Sequence, residues 1–543
     1  MPLLTLDFLR YKPRATDPRV ARVICSCILL ISALAAFPVS PLDAQEFVWA
    51  RQIGGASKGG GQQVAVDAAG NTFVTGNLGA EFFGKFDFFV AKFDHAGNLL
   101  WQRQMGGTSF GGVEDLAIDV TGNVYTTGSF FGTLDLDPGS ATFNLTAGDA
   151  GATFISKLDA NGNFVWGRRS PGNSSGIAVD GGGNILVTGT FFGGVDFDPG
   201  ASEFTLTAVG AGDIFVLKLN SFGHFVWARQ MGGEGGETGL GIAVDINGNV
   251  LTTGDFGAGP VDFDPGPGVF NLTAGDDIFV SKLDSDGNFV WARQMGGPDG
   301  DRGWSVAVDG GGNVLTTGRF DGAADFDPGA PVYNLTSAGE EDIFIPTLDS
   351  AGKFVWARRI GGTGVDYSYG LALDAHGNIF TTGLFQGAVD FDPGSGVFNL
   401  SALGSDVFVS KLDSAGNFVW AQQISESSFT GAGIAVAAGE VYATGSFGPI
   451  GNFDPDGGGF KLISDGQSDA FLAKYSDVTA NILRPQISEG GIVLATLLPK
   501  VETVSGLSII SVFGEHFTDE TILYPSLLQD GRIVSCGEAC VSE

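Results

Sequence analysis

The sequence predicts an all-β fold, a seven-bladed β-propeller of four-stranded blades closed by the N-terminal strand. Three observations predict it. Tryptophan recurs at positions 49, 101, 166, 227, 291, 356 and 420, so a unit of about sixty residues is repeated seven times. Each unit contains two short hairpins, and the incomplete units at the two ends complement each other.

The composition is that of a folded repeat protein. Of the 543 residues, 87 are Gly, 45 are Phe and 43% are hydrophobic, which is too apolar for a disordered Gly-rich chain. Many tight turns between short strands account for the glycine content. The 28 basic and 61 acidic residues give a net charge of -33, which repels phosphate backbones and argues against nucleic acid as a partner.

Residues 1–44 are predicted to be a signal peptide. Basic residues between Arg10 and Arg22 precede an apolar run from Val23 to Val39, as in export signals. The run has 17 residues, which is short for a bilayer span, so cleavage is favoured over a membrane anchor. The mature chain is then expected to be secreted or extracytoplasmic, in the periplasm or at the cell surface, with no membrane span.

The two hairpins of a unit are clearest in the middle of the chain. The apolar segment 277–283 and the Phe-Val-Trp-Ala-Arg-Gln segment 289–294 flank a turn at 284–288, with Gly287 where a hairpin needs positive φ. A second hairpin pairs segment 242–245 with segment 250–254. These four short, β-branched and aromatic segments predict the four strands of a blade.

The ends of the array predict how the ring closes. The mature chain begins with a Trp49 strand that lacks its preceding partner, and the array ends with a Phe471 strand that lacks its Trp strand. Each end supplies what the other is missing. We therefore expect the Trp49 strand to pair with the Phe471 strand, which removes two open sheet edges.

The repeated phrase Ala-Val-Asp-x-x-Gly-Asn, followed by Thr-Gly and then Asp-x-Phe-Val-x-Lys-Leu-Asp, resembles the bacterial beta-propeller repeat family often labelled SBBP. The resemblance covers residues 45–477 and recurs seven times. It implies a β-propeller domain over that range. It implies no activity, because the family is largely without assigned functions.

Residues 478–543 form a separate C-terminal segment. The phrase from Ser508 to Glu515 resembles the opening strands of immunoglobulin-like IPT/TIG domains, which implies a short and incomplete or unusually small β domain. Cys536 and Cys540 are the only cysteines of the mature chain. In an oxidising compartment a local disulfide is favoured over a zinc site.

An insert between the second and third strands repeats the pattern Asp-x-Asp-Pro-Gly. Strand alternation places its two aspartates on one face and the intervening apolar residue on the other. Two interpretations stay open: the pairs are calcium ligands, or they are turn formers whose carboxylates accept backbone hydrogen bonds, which the lack of a dedicated calcium-loop spacing favours. The candidate residues are Asp135, Asp137, Asp196, Asp198, Asp262, Asp264, Asp325, Asp327, Asp390 and Asp392.

Catalysis requires particular residues that converge in one pocket, and the repeats present equivalent copies instead. The best asymmetric cluster is Trp304 with Asp299, Asp301 and Arg302, for which an exposed rim aromatic is the simpler interpretation. We therefore expect a non-catalytic exported binding or adhesion scaffold with an acidic rim, without a cofactor, for an extracellular protein or glycan. The alternatives are a polysaccharide-acting hydrolase or lyase and a calcium-binding surface protein.

Overall fold

The computed structural model describes residues 46–54, 59–79, 87–107, 110–148, 150–257, 259–424, 430–454 and 459–477, with short strands at 487–488, 491–492, 527–529 and 532–534. The strands through residue 477 belong to one compact unit, Asp43–Val478. The predicted signal peptide, Cys536 and Cys540 lie outside the described residues. So does nearly all of the predicted IPT/TIG-like segment.

All elements of the described residues are β-strands. The first half of the array contains, in chain order, β1 (Glu46–Ile53), β2 (Gly59–Val66), β3 (Thr72–Leu78), β4 (Asp87–Phe93), β5 (Leu99–Gly107), β6 (Phe110–Ile118), β7 (Val124–Phe131), β8 (Thr133–Asp135), β9 (Asn144–Thr146), β10 (Ala152–Leu158), β11 (Phe164–Ser170), β12 (Asn173–Val179), β13 (Ile185–Phe191), β14 (Gly194–Asp196), β15 (Thr205–Thr207), β16 (Asp213–Leu219) and β17 (Phe225–Gly233).

The second half contains β18 (Glu237–Val244), β19 (Val250–Phe256), β20 (Gly259–Asp262), β21 (Asn271–Ala274), β22 (Asp277–Leu283), β23 (Phe289–Met295), β24 (Arg302–Val308), β25 (Val314–Phe320), β26 (Ala323–Asp325), β27 (Asn334–Thr336), β28 (Asp342–Leu348), β29 (Phe354–Gly362), β30 (Tyr367–Leu373), β31 (Ile379–Asp390), β32 (Asn399–Leu412), β33 (Phe418–Ile424), β34 (Thr430–Ala437), β35 (Glu440–Phe447), β36 (Ile450–Asn452), β37 (Lys461–Ile463) and β38 (Asp469–Ser476). After residue 478, β39 (Ile487–Ser488) pairs with β40 (Gly491–Ile492), and β41 (Leu527–Gln529) pairs with β42 (Arg532–Val534).

Each repeat folds into four antiparallel strands joined by the two predicted hairpins. The fourth repeat shows the pattern: β18 pairs with β19, β19 with β22, and β22 with β23. The insert strands β20 and β21 lie outside this meander. The all-β prediction is confirmed for the described residues, among which no helix offers a membrane span.

The two ends of the array meet in one sheet. Strand β1 pairs antiparallel with β38, with Trp49 opposite Lys474 and Gln52 opposite Phe471, and β38 continues to β35 and β34. The predicted pairing of the Trp49 and Phe471 strands is confirmed. It covers the edge of β38 that the end of the array otherwise leaves open.

The core lies between neighbouring sheets. One apolar cluster joins Trp49 and Tyr442 from the sheet that contains β1 to Val74 and Phe89 from the first complete repeat, and equivalent clusters lie between the other successive sheets. The first strands of successive repeats contact one another, and β34 contacts β2. Both faces of each sheet are thus covered, which explains why the central strands are apolar on both sides.

In six of the seven Trp strands a Trp-x-Arg phrase connects its sheet to the neighbouring repeat, whereas Trp420 is followed by Gln422. Trp227 donates its indole N–H to the Ser285 carbonyl at 3.3 Å, and Nε of Arg229 donates to the Gly287 carbonyl at 2.8 Å. Gly287 has φ of 78°, and a Cβ there would lie 3.1 Å from the Trp227 ring. The glycine of this turn therefore serves both the turn and the close approach of the ring.

Candidate functional site

The aspartate pairs of the inserts hydrogen bond to the backbone of their own hairpins. In the third repeat, Oδ1 of Asp196 accepts from the amides of Asp198 and Phe204 at 3.0 and 2.8 Å, and Oδ1 of Asp198 accepts from the Gly200 amide at 2.7 Å. Equivalent bonds recur at Asp135 and Asp137, Asp262 and Asp264, Asp325 and Asp327, and Asp390 and Asp392. These carboxylates therefore act as turn formers.

The same residues do not form a metal-binding group on their own. Within the described ranges, no cluster of three or more His, Cys, Asp or Glu side chains has a geometry that could hold a metal ion. The intervening apolar residue points inward, as alternation predicts, because Phe197 is fully buried. Calcium binding by the pairs stays a prediction.

Four of the inserts pair with the Gly-Gly segment that follows the preceding Trp strand. Gly296 exchanges backbone hydrogen bonds with Asp325 at 3.0 and 2.8 Å. A Cβ on Gly297 would lie 2.3 Å from the Ala323 carbonyl oxygen, so only glycine admits this approach. Each such contact ties the end of one sheet's outer strand to the insert of the next repeat.

Buried carboxylates lie behind three Gly-Gly segments. Asp277 and Asp301 both approach Gly296, since a Cβ there would lie 2.9 Å from Oδ1 of Asp277 and 2.8 Å from Oδ2 of Asp301. Burial raises the pKa of Asp301 to about 7, although the amides of Asp321 and Gly297 hydrogen bond to it. Burial likewise raises the pKa of Glu237 to about 7 and that of Asp366 to about 6.

A β-bulge lies at the same position of every first strand, and the residue at the bulge differs from repeat to repeat. In each pairing of first and second strands the register skips one residue of the first strand. The skipped residues all line one central cavity of about 560 Å³, and together they are called the channel ring. Its members, in chain order, are Gln62, Glu114, Ser175, Leu240, Trp304, Tyr369 and Ala432.

Bulges commonly re-aim a side chain next to a functional site. Here they direct seven different side chains into one space, whereas most residues of the two neighbouring columns are Gly or Ser. The repeats are otherwise equivalent, so the channel ring is where their residues differ and can form one particular site. Its size is within the range of small-molecule pockets.

The acidic side of the cavity belongs to the second repeat, which contributes Glu114 and Asp115. Asp115 accepts from the amides of Ile177 at 2.8 Å and Leu116 at 2.7 Å, and from Nε2 of Gln63 at 3.1 Å, so it joins three repeats. Burial nevertheless raises the pKa of Asp115 to about 6. Glu114 faces the channel solvent, but surrounding protein, with the nearby charge of Asp115, raises its pKa to about 7.

The aromatic side of the ring belongs to the fifth and sixth repeats. The ring centroids of Trp304 and Tyr369 are 4.7 Å apart, and Tyr367 packs edge-on against Trp304 at 5.2 Å. The guanidinium of Arg319 lies 5.9 Å from the Trp304 centroid and pairs with Glu341. This packing holds the two channel-facing rings in place.

The interpretation of Trp304 as an exposed rim aromatic is wrong. The bulge turns its side chain into the channel, where it is half-buried against the two tyrosines. Its sequence neighbours separate in space: Asp301 is buried, Asp299 is exposed, and Arg302 pairs with Asp255 at 2.8 Å. The predicted asymmetric cluster is therefore divided: Trp304 lines the channel, whereas Asp301 lies beside the Gly-Gly segment at Gly297.

Sequence reasoning missed Gln62, Glu114 and Tyr369. A signal was present, because these residues occupy one column, three positions before the Ala of each Ala-Val-Asp phrase with two residues between. That column varies from Glu to Trp, while the two columns beside it are mostly Gly or Ser. Only the bulge shows that the variable column points to the channel.

The repeats, strand order and sheet packing together define a β-propeller repeat protein. Two segments, residues 226–255 and 355–384, match the family model described as SBBP, Beta-propeller repeat. Among curated proteins, the chain is 24% identical to an uncharacterized WD repeat-containing protein of Acanthamoeba polyphaga mimivirus, over 80% of this chain and 39% of the relative. It is 29% identical to the regulatory protein FlaEY of Caulobacter vibrioides, over 22% of this chain and 13% of that protein. The chain thus spans less than two fifths of either relative.

The chain also has matches among solved structures, at low sequence identity. The polysaccharide lyase Uly1 is 11% identical, with a TM-score of 0.39 over 82% of this chain and 95% of the lyase. The Neurospora crassa Pan2 WD40 domain is 8% identical, with a TM-score of 0.36 over 79% of this chain and 95% of that domain. These TM-scores are too low to transfer a site or a function to this chain.

Proposed function

We propose that the chain is an exported, non-catalytic binding scaffold, a closed seven-bladed β-propeller that holds its ligand at the channel ring. The contacts of β34 with β2 and the pairing of β1 with β38 support closure of the seven four-stranded sheets into a ring. A rigid ring of this kind presents loops and a central channel on fixed elements. The ligand is an extracellular molecule, because residues 1–44 resemble an export signal.

The observation that carries this proposal is the asymmetry of the channel ring. Seven bulges at one position direct seven different side chains into one cavity, with carboxylate and amide groups on one side and aromatic rings on the other. Aromatic faces and a few convergent polar groups are the usual lining of binding pockets. Binding is favoured over catalysis because Asp115 already accepts three hydrogen bonds.

A glycan array with the full mature chain tests the proposal. Binding without turnover, weakened by Trp304→Ala and unaffected by Phe222→Ala, is the expected result, since Phe222 is an exposed aromatic in a hairpin turn. Equal binding by both variants would place the ligand outside the channel. If the chain binds neither a glycan nor another extracellular ligand, the proposed binding function is refuted.

The alternative is a polysaccharide-acting hydrolase or lyase. The raised pKa of Glu114, about 7, favours it, because such a carboxyl can exchange a proton near neutral pH. Release of new reducing ends or unsaturated sugars from the array ligands, abolished by Glu114→Gln, would establish it. That result would overturn the non-catalytic proposal.

Calcium binding at the aspartate pairs of the inserts is a second alternative. It is tested by calorimetry with Ca²⁺ and by melting curves with and without a chelator, because a ligand of the folded state raises the melting temperature. A heat of binding that is reduced by Asp198→Asn, which alters one of the five pairs, would support it. An unmoved melting curve without a binding heat would leave these carboxylates as turn formers only.

A further inference from the structure

The charges that line the central cavity all have one sign. Glu114 and Asp115 are its ionisable acids, and the described residues around the cavity include no Lys, Arg or His. The flanking strands β2 and β12 add amides and hydroxyls, and β7, which pairs with β6, also has no charged side chain. The potential inside the cavity is therefore negative, in a chain whose net charge is already -33.

Of the two carboxylates, Glu114 is available to a ligand. Asp115 accepts from three donors, which occupy both of its oxygens. For Glu114, desolvation by the surrounding protein and the charge of Asp115 are the influences on the ionisation, and neither a hydrogen bond nor a basic side chain contributes. A carboxylate in such surroundings gains most from a cationic partner.

The opposite wall suits the same kind of partner. Trp304 and Tyr369 both line the cavity, and aromatic rings attract ammonium groups and pack against alkyl chains. Arg319, which stacks behind Trp304, does not oppose this, because Glu341 pairs with its guanidinium. Glu341 also accepts a hydrogen bond from the Tyr367 hydroxyl at 2.5 Å, which holds the ion pair of Arg319 and Glu341 in place.

We propose that the channel ring binds an ammonium-bearing ligand, whose positive charge pairs with Glu114 and whose aliphatic portion packs on Trp304 and Tyr369. This inference rests on the proposed binding function and names its ligand class. A neutral sugar satisfies the aromatic wall but leaves Glu114 without a counter-charge. The ammonium groups belong either to a free polyamine or to lysine side chains of a protein.

Titration calorimetry with the full mature chain at about 150 mM salt tests the proposal, because that ionic strength screens general attraction to the acidic surface. Spermidine is the free cation, a lysine-rich peptide is the protein source, and an aliphatic diol and the acetylated peptide are the neutral controls. We expect binding of a cationic probe and none of its neutral counterpart. Glu114→Gln should weaken that binding by about tenfold or more.

The matched control is Glu234→Gln, which removes an exposed carboxylate outside the channel. It should leave the affinity unchanged, and both variants should keep the wild-type melting curve. Equal losses in both variants, or no loss in Glu114→Gln, would overturn the proposal. Binding of the peptide without spermidine assigns a protein source, and binding of spermidine assigns a free cation.

The outcomes also separate this inference from the proposed function. A neutral glycan that binds in a Trp304-dependent way, with no binding of either cationic probe, would refute the ammonium ligand while the scaffold function stands. Cleavage of glycans that depends on Glu114 would refute the scaffold function itself.

Discussion

The substitution Asp301→Asn should change the stability of the protein in opposite directions at acid and at mildly alkaline pH. Asp301 is 2% exposed, and its pKa is raised from 3.8 to about 7 by burial. The folded state therefore keeps a proton that the unfolded chain releases above about pH 4. As the pH rises through this interval the wild-type protein loses stability, and the loss is complete above about pH 7.

The difference of about three pKa units corresponds to about 4 kcal/mol at pH about 8. Asparagine removes the charge but has one acceptor oxygen for the amides of Gly297 and Asp321, which costs about 1–3 kcal/mol. The variant should therefore be about 2 kcal/mol more stable than wild type near pH 8. Near pH 4.5 Asp301 is already protonated, so only the loss of a hydrogen bond from a backbone amide remains. The variant should then be the less stable protein.

Urea unfolding followed by tryptophan fluorescence, at both pH values and with a chelator present, measures the two differences. Asp299→Asn is the matched control, because Asp299 is exposed on the same loop and should show no reversal. A stability difference of equal size and sign at both pH values would refute the buried, protonated state of Asp301.

Three further predictions follow from the described contacts. Affinity for the cationic probe should be about tenfold higher at pH about 8 than at pH about 5.5, because Glu114 loses its charge below its pKa of about 7. Glu114→Gln should keep only the smaller pH dependence that comes from Asp115, whose pKa is about 6, and a parallel decline of equal size in both proteins would contradict this. Deletion of residues 45–53 should cause aggregation in light scattering, because it exposes the edge of β38, and a monodisperse deletion product would contradict the role of β1 in closure. Gly287→Ala should lower stability by more than about 1 kcal/mol, because φ is 78° and the new Cβ meets Trp227 and Arg229, whereas Gly181→Ala, with open space around it, should be nearly neutral in the same urea assay.

Much of the fold follows from the sequence because its determinants are local. Alternation along strands, glycine at positive φ and Asp-to-Asn turns each act over a few residues, and seven copies repeat the same signals. The pairing of Trp49 with the Phe471 strand could be predicted as well, since each end lacked a partner that the other supplied. The backbone role of Asp196 and Asp198 was the favoured interpretation for the same reason, because an aspartate before Pro-Gly acts on amides close in sequence.

The channel ring could not be predicted, because the bulge shifts the phase of strand alternation by one residue. In an unbroken strand Trp304 and Ser305 lie on opposite faces, and neither face can be assigned to the channel from the sequence. Glu114 looked like one charged residue among 61 acidic ones until the first strands of seven repeats met around one cavity. The protonation of Asp301 also depends on groups from separate repeats, since desolvation is a property of the packed structure. Local chemistry thus determined the repeat and its turns, whereas the convergence of distant strands decided which residues form a site.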